Sequence, residues 1–335
     1  MPETAFVFSH RFVEHDTGGA HPERPDRARA VARAVRQAGL LTSPDPFPGY
    51  QFDFGSSLAK ARQPLVELEA APADEQWLRA VHAPAMIDRA RRACQRAGVL
   101  DQSDTPTCPA SFEIALLSAG SAITACDFVM AAPGRRAFSA GRPPGHHAEV
   151  DRSMGFCLFN NVAIAARYLQ QKHGVGRVAI VDLDVHHGNG TQDAFEDDAS
   201  VLFISIHQDP RTLYPGSGHA YETGEGAGRG ATLNVPMPPG SGDADYAEAF
   251  ASKIVPKLDL FRPDVLLISA GFDDHADDPL AHIELSDDGF ESMTRTLVEV
   301  AERHCGGRIV SVLEGGYHLR ALGRSVVRHL IAMME

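Results

Sequence analysis

From residue 136 onwards the chain alternates short, β-branched apolar runs with longer segments whose apolar residues recur every three or four positions. Runs at 136–140, 177–183, 201–206, 264–269 and 308–313, with 4–9 near the start, read as buried strands of a parallel sheet. Segments at 160–173, 244–260, 287–304 and 319–333 read as the intervening helices. Further helical patterns lie at 26–37, 74–82, 84–97 and 111–131. This alternation predicts an α/β fold with a largely parallel central sheet and helices on both faces. No repeat, low-complexity tract or linker interrupts it, so residues 1–335 are expected to form one domain. Residues 42–64 carry Phe47, Tyr50, Phe52 and Phe54 among Pro, Gly and Ser; they are long for an internal loop and predict an excursion, as a rim or an oligomer contact.

Each strand from 136 onwards ends in a polar or Gly-rich cluster: GRPPGHHAE, DVHHGNG, HQDPRTLYPGSG, AGFDDHADDP and EGGYH. Ligands of open α/β sheets bind beyond the carboxyl ends of the strands, so five such clusters predict one site assembled at a single edge. Side chains alternate along an extended chain. Asp184 and His186 therefore share one face with Asp182 in line below them, and His187 faces the other way, in a structural role.

Composition narrows the classes. Lys+Arg 31 against Asp+Glu 44 leaves a net charge of −13, which argues against nucleic acid or an anionic membrane as a partner and suits cationic ligands. Five scattered cysteines without a C-x-x-C suggest neither a disulfide framework nor a thiolate metal site. No run of 18 consecutive apolar residues occurs, and a reducing cytoplasm is the expected compartment.

Asp184, His186 and Asp273 offer two carboxylates and an imidazole, a set that holds a divalent metal while leaving positions open for water and substrate. The plainer alternative for Asp184 and His186 is a hydrogen-bonded pair at a strand end; Asp274, Asp277 and Asp278 beside Asp273 read as a solvated acidic loop, while Asp273, closest to the strand end, can point back into the site. Zn(II), Fe(II), Co(II) and Mn(II) all suit such donors. His146 and His147, after the stiff Pro143-Pro144-Gly145 turn, suit a base and an acid near neutral pH. Tyr317, after Gly315-Gly316, would reach an oxyanion. Phe156, Leu213, Tyr214 and Leu280 either pack their loops or wall a narrow tunnel.

Taken together, GRPPGHHA (141–148), GFCLFNNVAIAA (155–166), VDLDVHHGNGTQ (181–192), SIHQDPRTLYPGSG (205–218), SAGFDDHADDPLA (269–281) and LEGGYHL (313–319), with HPERP at 21–25 and DTPTCPASFE at 104–113, resemble the zinc-dependent histone deacetylase and acetylpolyamine amidohydrolase superfamily, on its bacterial, class II-like side. The resemblance spans nearly the whole chain and implies the fold shared with arginase. It implies one zinc per chain on Asp184, His186 and Asp273. Zinc would polarise the acyl carbonyl and a water, and His147 would act as general base and then general acid. His146 would add charge and hydrogen bonding, with Tyr317 donating to the oxyanion. Asp182 is expected to orient His146, and Asn189 to orient His147. Asn in place of the Asp found in other branches should lower the pKa of His147. The resemblance also implies a potassium ion at Asp182, Asp184, His186, Ser205 and Ile206, and a second monovalent site near Phe195, Asp198 and Val201. The tunnel residues would be Gly155, Phe156, Leu213, Tyr214 and Leu280, with Asp104 at the rim.

The implied reaction removes acetyl, or another short acyl group, from an acyl-lysine side chain of a peptide or protein or from a small acylated amine. An acetylpolyamine is the alternative substrate, suited to the acidic balance but not to Leu280 at the tunnel gate. An arginase-like ureohydrolase with two manganese ions is more remote, because its longer series of bridging aspartates is missing. A homo-oligomer is compatible with the segments at 10–25 and 42–64.

Overall fold

The computed structural model describes residues 3–47, 49–54, 64–100 and 104–335. Its strands, in chain order, are β1 (Thr4–Phe8), β2 (Val66–Glu69), β3 (Val99–Leu100), β4 (Thr105–Pro106), β5 (Arg136–Ser139), β6 (Val178–Asp182), β7 (Val201–Gln208), β8 (Thr232–Met237), β9 (Val265–Ala270) and β10 (Ile309–Leu313). Eight of them form one sheet in the order β2-β1-β5-β10-β9-β6-β7-β8, while β3 and β4 make a separate antiparallel ladder. Every pairing in the large sheet is parallel, so all eight carboxyl ends lie along one edge.

The six strands expected from their apolar runs form the middle of this sheet, and all six are buried at every position. The two that the sequence does not reveal, β2 and β8, are its edges. VELE in β2 alternates half-buried and exposed residues, and TLNVPM in β8 contains Pro236, which an edge strand tolerates because it lacks a ladder N–H. Neither makes the continuous apolar run that marks a strand covered on both faces.

Helices Asp26–Gln37, Asp287–Cys305 and Leu319–Met333 pack together as one layer, and Ser111–Met130 packs on Asn161–His173 in the other. Ser111–Met130 is long and apolar enough to cross a membrane, but two thirds of its apolar window (67%) is buried, much of it against the sheet, as in a core helix. The pattern at 74–82 yields a helix only over Glu75–Leu78. That at 244–260 is divided by a π turn, Phe250–Ile254, just before Pro256, whose missing N–H prevents α-type pairing there. Within 42–64, residues 48 and 55–63 lie outside the described residues. Phe47, Phe52 and Phe54 pack on the core, and Phe52 lies so close to Gly323 that a Cβ there would sit 2.2 Å from its ring. These three aromatic side chains of the segment are thus packed against the protein's own core, while residues such as Thr42, Pro46, Gln51 and Asp53 stay exposed.

Candidate active site

The five clusters follow β5, β10, β9, β6 and β7, which are immediate neighbours in the sheet. Asp184 and His186 lie two and four residues past the end of β6, in bends where Asp182 Oδ1 and Asp184 Oδ1 accept the N–H groups of Asp184 and His186, and Asp273 follows β9, the partner strand of β6. His186 Nδ1 stands 3.0 Å from Asp184 Oδ1 and 3.1 Å from Asp273 Oδ2, and the three side chains are buried. One donor atom from each lies within 4.8 Å of the others. Tetrahedral coordination with bonds of about 2.0–2.1 Å sets donors roughly 3.3 Å apart, so the observed spacing fits a small divalent ion. Gly315 leaves the room: a Cβ there would fall 2.2 Å from Asp273 Oδ2 and 2.5 Å from Asp184 Oδ2, while its N–H donates to Asp184 Oδ2 at 2.7 Å. The sequence suggests a tight turn for this Gly-Gly pair; the close approach of two carboxylates is the stronger constraint.

The tandem histidines come over from β5. His146 Nδ1 pairs with Asp182 Oδ2 at 3.0 Å, and Asp182 Oδ1 accepts the N–H of Asp184 at 3.1 Å. Burial alone would lower the pKa of His146, but the charges of Asp184 and Asp182 raise it well above the usual range. His147 Nδ1 meets Asn189 Oδ1 at 2.7 Å. Its pKa falls well below the usual range, first through burial and then through the charges of His146 and His186. The two groups are pushed in opposite directions, which separates their roles. His147 lines a cavity of about 280 Å³ with His186, Tyr317, Gly155 and Phe156 on its inner walls and Leu213, Tyr214, Leu280 and Asp104 completing it. Gly155 is forced by contact, since a Cβ would lie 2.4 Å from His147 Cδ2. Tyr214 packs edge-on to His147 at 5.1 Å, and Phe156 edge-on to Tyr317 at 5.8 Å.

A histone deacetylase domain profile matches residues 21–333. The chain belongs to the histone deacetylase family. It is 46% identical over 308 residues to a histone deacetylase-like amidohydrolase of Pseudomonas aeruginosa, covering 91% of this chain and 75% of that one. It is 38% identical over 314 residues to a probable deacetylase of Archaeoglobus fulgidus, covering 94% and 81%. A crystal structure of the HDA15 HD domain superposes with a TM-score of 0.88 at 36% identity, covering all of this chain and 90% of that one. These relationships support amide deacetylation as the reaction class of this histone deacetylase-family chain and make it a hydrolase.

Within that family fold, the positions singled out in the sequence as metal, histidine-pair and tunnel residues all converge on one cavity or its immediate supports. Ser205 lies beside Asp182 in register across β6 and β7, its hydroxyl bonded to His207 Nδ1 at 2.8 Å; Ile206 is the next, fully buried residue of β7. His187 faces away, bonded to Ser217 and Gln192. The acidic loop needs correction. Asp274 and Asp278 are buried rather than solvated, and Asp277 alone of the three neighbours is open to water. Asp274 Oδ1 accepts the Tyr246 hydroxyl at 2.6 Å on the far face, and Asp278 accepts backbone N–H groups around Tyr317.

Three further supports lie inside strings already quoted, but the sequence assigns them no role. Glu149 Oε1 accepts from Asn189 Nδ2 at 2.7 Å. That bond fixes the Asn189 amide so that its oxygen faces His147, which places the proton on Nδ1 and leaves Nε2 open toward the cavity. Glu314 Oε2 accepts the N–H groups of Gly145 (2.6 Å) and His146 (3.1 Å), tying the histidine turn to β10. Glu23 of HPERP is fully buried against Arg142 of GRPPG (2.8 and 2.7 Å), so the two Pro-flanked motifs form one ion pair. His21 of the same motif packs edge-on to Phe156 at 4.7 Å, which brings residues 10–25 to the tunnel wall.

Proposed function

We propose that the chain hydrolyses N-acyl amides with one zinc ion held by Asp184, His186 and Asp273, releasing acetate and a free amine from an acyl-lysine side chain or a small acylated amine. The observation that carries this reading is the convergence, around one narrow cavity, of a three-donor metal cluster, an imidazole nitrogen free to take a proton, and a tyrosine hydroxyl. The family is generally zinc-dependent, and the donor set, with open positions, fits that ion. When bound, zinc supplies Lewis-acid polarisation of a carbonyl and acidifies water.

The chain's own residues do the rest. His147 Nε2, kept unprotonated by burial and by its charged neighbours, accepts the proton of the attacking water and returns it to the departing nitrogen. His146, held charged by Asp184 and by its bond to Asp182, adds a positive field beside it. Tyr317 keeps its proton, since burial and the nearby Asp273 raise its pKa well above the usual range, and so it donates to the oxyanion. Phe156, Tyr214 and Leu280 line a passage suited to an aliphatic stem, with Asp104 available to an amine or amide beyond it. Among the described residues one cluster of three ligands meets the metal-site spacing, which favours a single metal over the dinuclear ureohydrolase reading. A potassium ion supported by Asp182, Asp184, His186, Ser205 and Ile206, and a cytoplasmic location without nucleic-acid or membrane partners, belong to the same proposal.

Asp104 and the net charge of −13 favour acetylpolyamines as a second substrate class. A panel of acetyl-lysine peptide, acetylputrescine, acetylspermidine and longer acyl-lysines, assayed with the zinc-loaded enzyme, separates the two. His147→Ala should abolish hydrolysis of whichever substrate is turned over while leaving zinc bound. Release of urea with two manganese per chain would overturn the assignment.

A further inference from the structure

We propose that Asp278 is a positioning residue that couples Tyr317 to the tunnel wall at Leu280, an inference that rests on the amide-hydrolase reading above. Tyr317 follows two glycines, and Gly316 adopts φ +113, so the backbone just before the tyrosine has little intrinsic restraint. Its position must be imposed from outside. One end of the Gly-Gly segment is tied where Gly315 donates to Asp184 Oδ2. Arg27 accounts for the middle, with Nε donating to the Gly316 carbonyl at 2.7 Å and its guanidinium 4.9 Å from the Tyr317 ring centre. The far end is tied by Asp278, whose Oδ2 accepts the N–H groups of both Tyr317 (2.7 Å) and His318 (3.0 Å).

A carboxylate serving only as a cap for the helix Leu319–Met333 would need nothing more. Asp278 does more: its other oxygen, Oδ1, accepts the N–H of Leu280 at 3.1 Å. Tyr317 and Leu280 line the same cavity. One buried carboxylate thus sets the hydroxyl that meets the oxyanion and the apolar residue beside it, and displacement of either is transmitted to the other. Asn at 278 is isosteric, yet whichever way its amide turns, at least one of the three N–H groups faces an NH₂ instead of an oxygen.

The test is a double-mutant cycle on the zinc-loaded full chain with acetyl- and butyryl-lysine peptides. Asp278→Asn should lower kcat on the acetyl substrate by about tenfold to a hundredfold, the scale of a misplaced catalytic group, with zinc content unchanged. In a Tyr317→Phe background the same substitution should cost kcat on the acetyl substrate less than about twofold, because the hydroxyl it places is gone, while the Leu280 anchor still shifts the acyl preference. The butyryl-to-acetyl ratio of kcat/KM should shift in Asp278→Asn and stay put in Tyr317→Phe. Equal losses in both backgrounds with an unchanged ratio would overturn the inference while leaving the hydrolase reading intact. Wild-type rates in Tyr317→Phe would overturn both. Should Asp278→Asn fail to fold, Asp278→Glu, which keeps the charge and moves the oxygens by one methylene, gives the same cycle, and its outcomes are read in the same way.

Discussion

Asn189 offers the sharpest handle on the base. Its amide oxygen accepts from His147 Nδ1 at 2.7 Å while its NH₂ is held by Glu149, so His147 is oriented by a neutral group. Replacing Asn189 with Asp puts a negative charge against the imidazole with almost no change of shape. At that separation and an effective dielectric of about 20, the attraction to an imidazolium is roughly 6 kcal/mol before losses. Desolvation of the new carboxylate opposes it, and so does Glu149, which would then face an oxygen with no proton between them. A net gain of about 1.4–4 kcal/mol is a ten- to thousandfold stronger hold on the proton.

The sign follows from the role. A base that holds its proton more tightly is disabled at higher pH, so the acid limb of kcat/KM should move up by about one to three pH units. The companion variant Asn189→Asp/Glu149→Gln removes the like-charge contact and moves the single negative charge from behind residue 189 into direct contact with the imidazole, so the limb should still lie above the wild-type position. The assay is kcat/KM against pH on an acetyl-lysine peptide, with zinc content and melting temperature measured on the same samples. An acid limb that stays in place in the double variant, with metal and fold intact, would show that the Asn189 bond does not set the basicity of His147.

Gly155→Ala places a methyl group 2.4 Å from His147 Cδ2 at a left-handed backbone position, φ +57, and should cut kcat by at least about tenfold with a smaller effect on melting; equal kcat would contradict the contact. Acid stability follows from His82, His207 and His329, which burial holds neutral with pKa values pushed down to about 4, about 4 and about 3. His82 Nε2 accepts the Asn160 N–H, a bond a protonated ring cannot make. The unfolded chain takes up protons at these residues near pH 6.5 and the folded chain does not. Stability is therefore full above that pH and falls between about 6.5 and 4, by on the order of 3 kcal/mol per histidine. Urea titrations at pH 8, 6 and 5 should show it, and a flat midpoint would refute it. A chelator that strips the proposed metal would leave Asp184 and Asp273 as two buried carboxylates around one imidazole. The melting temperature should fall and recover on adding zinc but not magnesium, whose preference for octahedral oxygen ligands this cluster does not meet.

What made the site readable was the period of two beyond the strand ends. Asp184 and His186 converge on Asp273, while His187 turns toward Ser217 and Gln192, as the alternation in the sequence predicts. In the loop after β9 the consecutive Asp273 and Asp274 also diverge, although they sit in a turn rather than on an extended strand: Asp273 meets His186, and Asp274 meets the Tyr246 hydroxyl. Two layers of helix cover the sheet, and an aspartate aimed at one of them has no solvent to face. Closeness to the strand end singles out Asp273 but says nothing of Asp274, whose burial the acidic appearance of GFDDHADD obscured. Glu314 and Asp278 are different. Their partners are backbone N–H groups 169 and 39 residues away, and no spacing along the chain marks a carboxylate that holds a distant turn. Edge strands β2 and β8 were hidden for a related reason, since half-covered strands lack the apolar run that announces a central one. Local periodicity thus locates the atoms that do chemistry, because these sit one or two residues from a strand. The groups that hold those atoms in place answer to contacts between loops, and only the assembled sheet brings those loops together.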